Sequence, residues 1–179
     1  MKIQRLFTKL GTNVYEMFSY TNRSSILRNT NGSVVFEMNN IEVPEQGSQV
    51  ATDILAQKYF RKAGVPLYNE DGSPKLDEKG KHVLGAETSV KQVVHRLAGC
   101  WRWWGEEHGY FDTAEDAQAF YDEIAYTLLH QMIAPNSPQW FNTGLHYAYG
   151  ITGNSQGHFF VNPKTGKLER SKDSYTHPQ

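Results

Sequence analysis

A chain of 179 residues, 39% of them apolar and 21% charged, is long enough for one domain, or one domain and the start of another, and its composition excludes a disordered tail. Lysine and arginine total 18 against 19 acids, and the net charge of -1 supplies no electrostatic footprint for nucleic acid. A single cysteine, Cys100, excludes an internal disulfide framework; with no apolar run of signal or membrane length, the sequence reads as cytoplasmic, without a membrane partner.

From Val14 to Val43 the text is strand-like: VYEMFSY, then SSILR, then SVVFEM. Asn31-Gly32 between two of these runs predicts a hairpin, because both residues tolerate positive φ. Ser48 to Lys62 places Ala51, Leu55 and Tyr59 on one face with Ile54 beside them, and the run stops at Gly64 with Pro66 just after, which predicts a helix. The polar YNEDGSPKLDEKGKH that follows predicts a solvated loop or a weak hairpin.

Ser89 as N-cap with Gln92 three residues on resembles a capping box. It opens a helix with Val90, Val94, Leu97, Trp101 and Trp104 on its apolar side, expected to end near Gly105 or Gly109. Cys100 on this helix reads as a buried, inert thiol. Thr113 starts a third helix, with Ala117, Phe120, Tyr121, Ile124, Leu128 and Met132 as its stripe and Glu115, Asp116, Asp122 and Glu123 outside, near its positive end. Glu106-Glu107 beside His108 reads as a solvated helix end, and the seven histidines lack ligand spacing, so no metal site is expected.

The helical pattern breaks at Ala134 to Gly150, APNSPQWFNTGLHYAYG. Ser137 as N-cap, Pro138 at the first helical position and Gly144 past the end predict a short helix, whose N–H groups and hydroxyl suit an anion such as phosphate. The plainer reading is that Ser137 caps its own helix, a contribution of about 1 kcal/mol that needs no ligand. Trp140 and Phe141 read as core anchors. Beyond the break, HFFV, a turn at Asn162 to Gly166 and KLER predict a second hairpin, and the polar stretch from Ser171 onward carries no packing signal.

The longer phrase APNSPQWFNTGLHYAYGI, followed by SQGHFFVNPKTGKLERSKDSYTHPQ and preceded by VATDILAQKYFRKAGVP, ETSVKQVVHRLAGCWRWWGEEHGYF and LLHQMIAPNSP, resembles the adenosylcobalamin-dependent, class II ribonucleotide reductases. The resemblance covers nearly everything after about Val34; Glu45-Gln46-Gly47-Ser48 departs from it, where the family has an aromatic before the Ser-Gln. It implies an α+β, mainly helical fold: an N-terminal helical domain with small β-hairpins over residues 1–133, leading at 134–179 into the first part of a ten-stranded α/β barrel. It also implies that Ser137 binds the substrate ribonucleotide at its phosphate end, with Asn136, Pro138 and Asn142 shaping the turn.

In that family Co–C homolysis of adenosylcobalamin creates a thiyl radical that abstracts the 3'-hydrogen of the ribose. A separate cysteine pair supplies two electrons, and a thioredoxin-type reductant serves as partner. The scheme needs three cysteines and this chain has one, so the resemblance implies a piece with no catalytic residue of its own and little cobalamin affinity. Such a piece requires the missing C-terminal part, with His177-Pro178-Gln179 at the threshold of the first catalytic strand. The family's nucleotide-cone regulatory module has no counterpart in Met1 to Tyr20. The alternative is a non-catalytic helical interaction module, in which Trp101, Trp103, Trp104, Trp140 and the tyrosines bind a partner protein or a carbohydrate.

Overall fold

The computed structural model describes residues 1–162 and 165–175. Two helices, α2 (Val90–Glu107) and α3 (Ala114–Leu129), pack against each other at its centre. Helix α2 begins as the sequence predicts. The Ser89 hydroxyl accepts from the Lys91 N–H at 3.1 Å and the Gln92 side chain accepts from the Ser89 N–H at 3.0 Å, which satisfies orphan donors of the first turn. Helix α3 begins at Thr113, whose hydroxyl accepts from the Asp116 N–H at 3.1 Å. Val93, Val94, Leu97 and Ala98 of α2 meet Ala125, Leu128 and Leu129 of α3 in the core, joined by Val14, Ile41, Val43 and Phe60 from the preceding segments.

The expected first hairpin is present, with β1 (Tyr20–Arg28) antiparallel to β2 (Val34–Pro44). Its turn differs in detail. Asn29 and Ser33 close it through an N–H to carbonyl bond of 2.9 Å, and only Gly32, at φ 86°, is left-handed, so the loop is longer than a two-residue Asn-Gly turn. VYEM is a 3-10 turn rather than strand, because the Asn13 side chain accepts from the Tyr15 N–H and starts it locally.

The helix expected over Ser48 to Lys62 is shorter. It starts at the Ser48 cap as α1 (Gln49–Ile54), continues as one π turn over Leu55–Tyr59, and gives way to extended chain at Phe60. The polar stretch after it is the weak hairpin of the two alternatives, β3 (Val65–Pro66) with β4 (Leu84–Gly85), extended by the bridges Tyr68 to Pro74 and Leu76 to His82.

Two expectations for α3 fail, each for a physical reason. Helix α3 ends at Leu129 and Gln131 takes φ 58°, so Met132 leaves the stripe and is 51% exposed. Asp122 is buried instead of lying outside, because the N-terminal segment folds back over α3 and its Arg5 Nη1 reaches Asp122 at 2.7 Å and its Nε reaches Glu115 at 2.8 Å. Glu123 accepts from the Thr8 hydroxyl at 2.6 Å and the Thr8 N–H at 2.8 Å. Burial pushes the Glu123 carboxyl up, but these bonds and the Phe7 N–H outweigh it and hold the carboxyl below its ordinary range.

After the break come α4 (Ser137–Asn142) and α5 (Leu145–Tyr149), then the second hairpin as predicted, β5 (Phe159–Val161) antiparallel to β6 (Leu168–Arg170). Within the stretch from Ser171, residues 171–175 do pack: Ser171 is buried against Ser155, and the Tyr175 ring stacks on His146 with centroids 3.6 Å apart. His177, Pro178 and Gln179 lie outside the described residues. The described sheets are each two-stranded and antiparallel, so the fold is α+β, with hairpins arranged around a helical centre.

Candidate functional site

The four sequence-predicted site residues sit on α4 and its cap. Asn136, not Ser137, is the N-cap, and Ser137 and Pro138 occupy the first helical positions. A short Asn side chain and a Ser side chain are both good caps, and here the backbone leaves extended geometry at Asn136 (φ -61°, ψ 153°), one residue earlier than the Ser-Pro signal suggests. The Asn136 side chain makes no capping bond, and the Ser137 hydroxyl meets the Tyr59 phenol at 3.0 Å. Ser137 is half-buried while Asn136, Pro138 and Asn142 are exposed. Asn136, Ser137 and Pro138 are brought together; Asn142 stands at the opposite end of α4.

Two clefts border α4, one at Trp140 and the other at Asn142. One, of about 330 Å³, is lined by Val94, Leu129, Pro135, Trp140 and Tyr59. The other, of about 260 Å³, is lined by Cys100, Trp103, Asn142, Tyr147 and Gln156.

What fixes α4 in place is an arginine that sequence reasoning did not single out. Arg96 and Glu87 are fully buried and joined by Arg96 Nε to Glu87 Oε1 at 2.8 Å. The remaining donors of the guanidinium reach three carbonyls: Nη1 that of Thr143 at 2.9 Å, Nη2 that of Trp140 at 2.7 Å, and Nη2 that of Tyr59 at 3.4 Å. The carbonyls of Trp140 and Thr143 belong to the last turn of α4 and its cap, where helical partners run out, so Arg96 serves as the C-terminal cap of that helix. Glu87 completes its shell with the Tyr149 hydroxyl and the Arg61 N–H, each at 2.7 Å. Burial and the carboxylate beside it push the Tyr149 phenol well above its ordinary range. The one signal in the text is position: Arg96 lies three residues past Val93 and four before Cys100, on the side of α2 that carries buried residues.

Gly144 closes the arrangement. At φ 78° it packs onto α2 so tightly that a Cβ would fall 1.9 Å from the Arg96 carbonyl oxygen. Helices α4 and α5 therefore meet α2 at the residue whose side chain also binds the end of α4.

The comparisons with known proteins bear on this geometry. Residues 21–131 match the family model of the class II vitamin B12-dependent ribonucleotide reductase. Over its whole length the chain is 52% identical to the vitamin B12-dependent ribonucleotide reductase of Bradyrhizobium diazoefficiens and 53% identical to that of Agrobacterium fabrum. The chain belongs to the class II vitamin B12-dependent ribonucleotide reductase family. It spans 16% and 15% of the length of those two reductases, and 73% of it aligns at 39% identity with 11% of the reductase of Rhodopirellula baltica. The likeness thus begins upstream of Val34, where the motifs alone had placed its start.

Within this reductase segment Cys100 is 3% exposed, and burial pushes its thiol up to about 11. In the native chain Cys100 is expected to stay unmodified by a disulfide reagent at pH 8 and to react in full once urea unfolds the protein; rapid native labelling would contradict the burial. Among the described residues no group of three His, Cys, Asp or Glu side chains is placed to hold a metal ion, and no helix is long and apolar enough to cross a membrane. The four tryptophans are held in packing: Trp101 and Trp140 lie on the core, Trp103 stacks on Tyr147 and Trp104 is half-buried. Of the tyrosines named with them, Tyr68, Tyr110 and Tyr147 are 60%, 54% and 37% exposed.

Proposed function

We propose that this segment forms part of the substrate entrance of a reductase that converts ribonucleotides to 2'-deoxyribonucleotides, with the Ser137 hydroxyl contacting a phosphate of the nucleotide. The observation that carries this reading is the state of that hydroxyl. It is half-buried at an uncapped turn and bonded to Tyr59, so its own proton is free to donate when the phenol donates to it. The Lys58 ammonium, 5.4 Å from the Tyr59 ring centroid, adds positive charge nearby. Helix α4 has six residues and a correspondingly small dipole, so the hydroxyl carries the contact. Asn136 and Pro138 set the start of the turn, and Asn142 faces the second cleft.

Catalysis belongs to polypeptide beyond this segment in the same reading. Adenosylcobalamin, when bound, supplies the radical. In this reading the residues that would hold it lie in the remaining chain. The reactive cysteines, the ten-stranded barrel that residues 134–179 lead into, and the docking site for a thioredoxin-type reductant fall to the same remaining chain. A surface for that chain is available: Phe159, Val161 and Leu168, on one face of the β5–β6 hairpin, are 69%, 63% and 68% exposed. The cytoplasm is the expected place of work, with no direct nucleic-acid partner at a net charge of -1.

In the complete reductase, Ser137→Ala is expected to raise KM for the ribonucleotide about 10-fold or more, as befits a lost hydrogen bond to a charged group, while kcat stays within about two-fold. Ser137→Thr, which keeps the hydroxyl, is expected to behave as wild type. Steady-state kinetics decide the matter, and an unchanged KM in the alanine variant removes Ser137 from the site.

A further inference from the structure

We infer that Tyr59 is a positioning residue for Ser137, a role that rests on the reading of Ser137 as a phosphate contact. The two hydroxyls are 3.0 Å apart. A phosphate oxygen only accepts, so one order of donation satisfies all three groups: the Tyr59 O–H to Ser137 Oγ, and the Ser137 O–H to the phosphate. Each bond in such a chain polarises the next, so the phenol makes the serine a better donor without touching the nucleotide.

Tyr59 suits this task because the fold fixes it on several sides before any ligand arrives. Its ring packs against Trp140 at 5.5 Å and Phe141 at 5.3 Å between centroids, both on α4. Its carbonyl accepts from the buried Arg96 at 3.4 Å, and that guanidinium also holds the far end of α4. The π turn over Leu55–Tyr59 sets its direction. A π turn takes in one residue more than an α turn, and a residue advances the helix by about 100°, so a regular helix here would turn the phenol away from Ser137. The freedom of the side chain is spent in folding, which leaves little to lose on binding. Sequence periodicity placed Tyr59 only on an apolar face; its hydroxyl partner is 78 residues away.

A double-mutant cycle in the complete reductase tests the assignment. Tyr59→Phe is expected to raise KM about 2- to 10-fold, the range of one neutral hydrogen bond, with kcat and the melting temperature little changed. In a Ser137→Ala background the same substitution is expected to have no further effect, and in a Ser137→Thr background its full effect returns. Equal effects of Tyr59→Phe with and without a hydroxyl at position 137, or none in either, overturn the positioning role. A Ser137→Ala variant with unaltered KM instead removes the phosphate reading beneath it, so the two failures are told apart.

Discussion

Replacing Arg96 with alanine is expected to destabilise the chain by about 3–5 kcal/mol, the cost of leaving a buried charge without its partner. The loss is large because one side chain serves several groups: Glu87 is left fully buried and unpaired, and the carbonyls of Tyr59, Trp140 and Thr143 lose a shared donor. For a chain of this size that corresponds to a fall in Tm of roughly 6–20 °C. Urea unfolding followed by tryptophan fluorescence measures it, and a loss below about 1 kcal/mol contradicts a buried pair. Exchanging both partners for methionine separates two roles. A buried ion pair replaced by apolar groups of similar volume is often neutral in stability. The double variant removes the unpaired charge but leaves the carbonyls of Tyr59, Trp140 and Thr143 without that donor, so it is expected to recover only part of the folding free energy while the loosened end of α4 appears as a raised KM in the complete enzyme.

Gly144→Ala is the second large effect. The position demands two things that alanine refuses: a φ of 78°, which costs an L-residue about 1–2 kcal/mol, and room for a Cβ where the Arg96 carbonyl oxygen stands 1.9 Å away. Because that neighbour is backbone, relief requires α4 and α5 to move off α2. The expected loss is about 3 kcal/mol or more in chemical denaturation. Gly150→Ala is the control, since Gly150 has a similar φ of 66° with nothing within 4 Å, and only the conformational cost of about 1–2 kcal/mol is expected there. Equal losses at the two positions would mean that the contact with α2 is not close.

Local chemistry made much of this fold readable. The caps at Ser89 and Thr113 depend on residues two or three places away, and both helices begin where those residues say. The hairpins followed from turn residues flanked by apolar runs. Chain segments that meet only in three dimensions were not readable. Asp122 looked solvated because nothing along α3 announces that Arg5 will cover it, and Tyr59 looked like one more apolar-face residue because the extra residue of a π turn leaves no mark in the periodicity. The site was legible in the same uneven way. Ser137 came from a local Ser-Pro signal, off by one position at the cap, while Asn136 and the assignment of both to a nucleotide came from family resemblance. Arg96 and Glu87, which hold the turn, have partners besides each other 26 to 62 residues distant, beyond the reach of any pattern of spacing.

The π turn at Leu55–Tyr59 makes this stretch sensitive to its length more than to its composition. Excising one residue would let the helical ladder close in ordinary register and swing whatever stands at position 59 away from the serine. A family member one residue shorter here would lose the contact between positions 59 and 137. On the role proposed for Ser137, gaps at this place in an alignment of the family sort its members by whether position 59 can brace that serine, a division that comparing substitutions alone would hide.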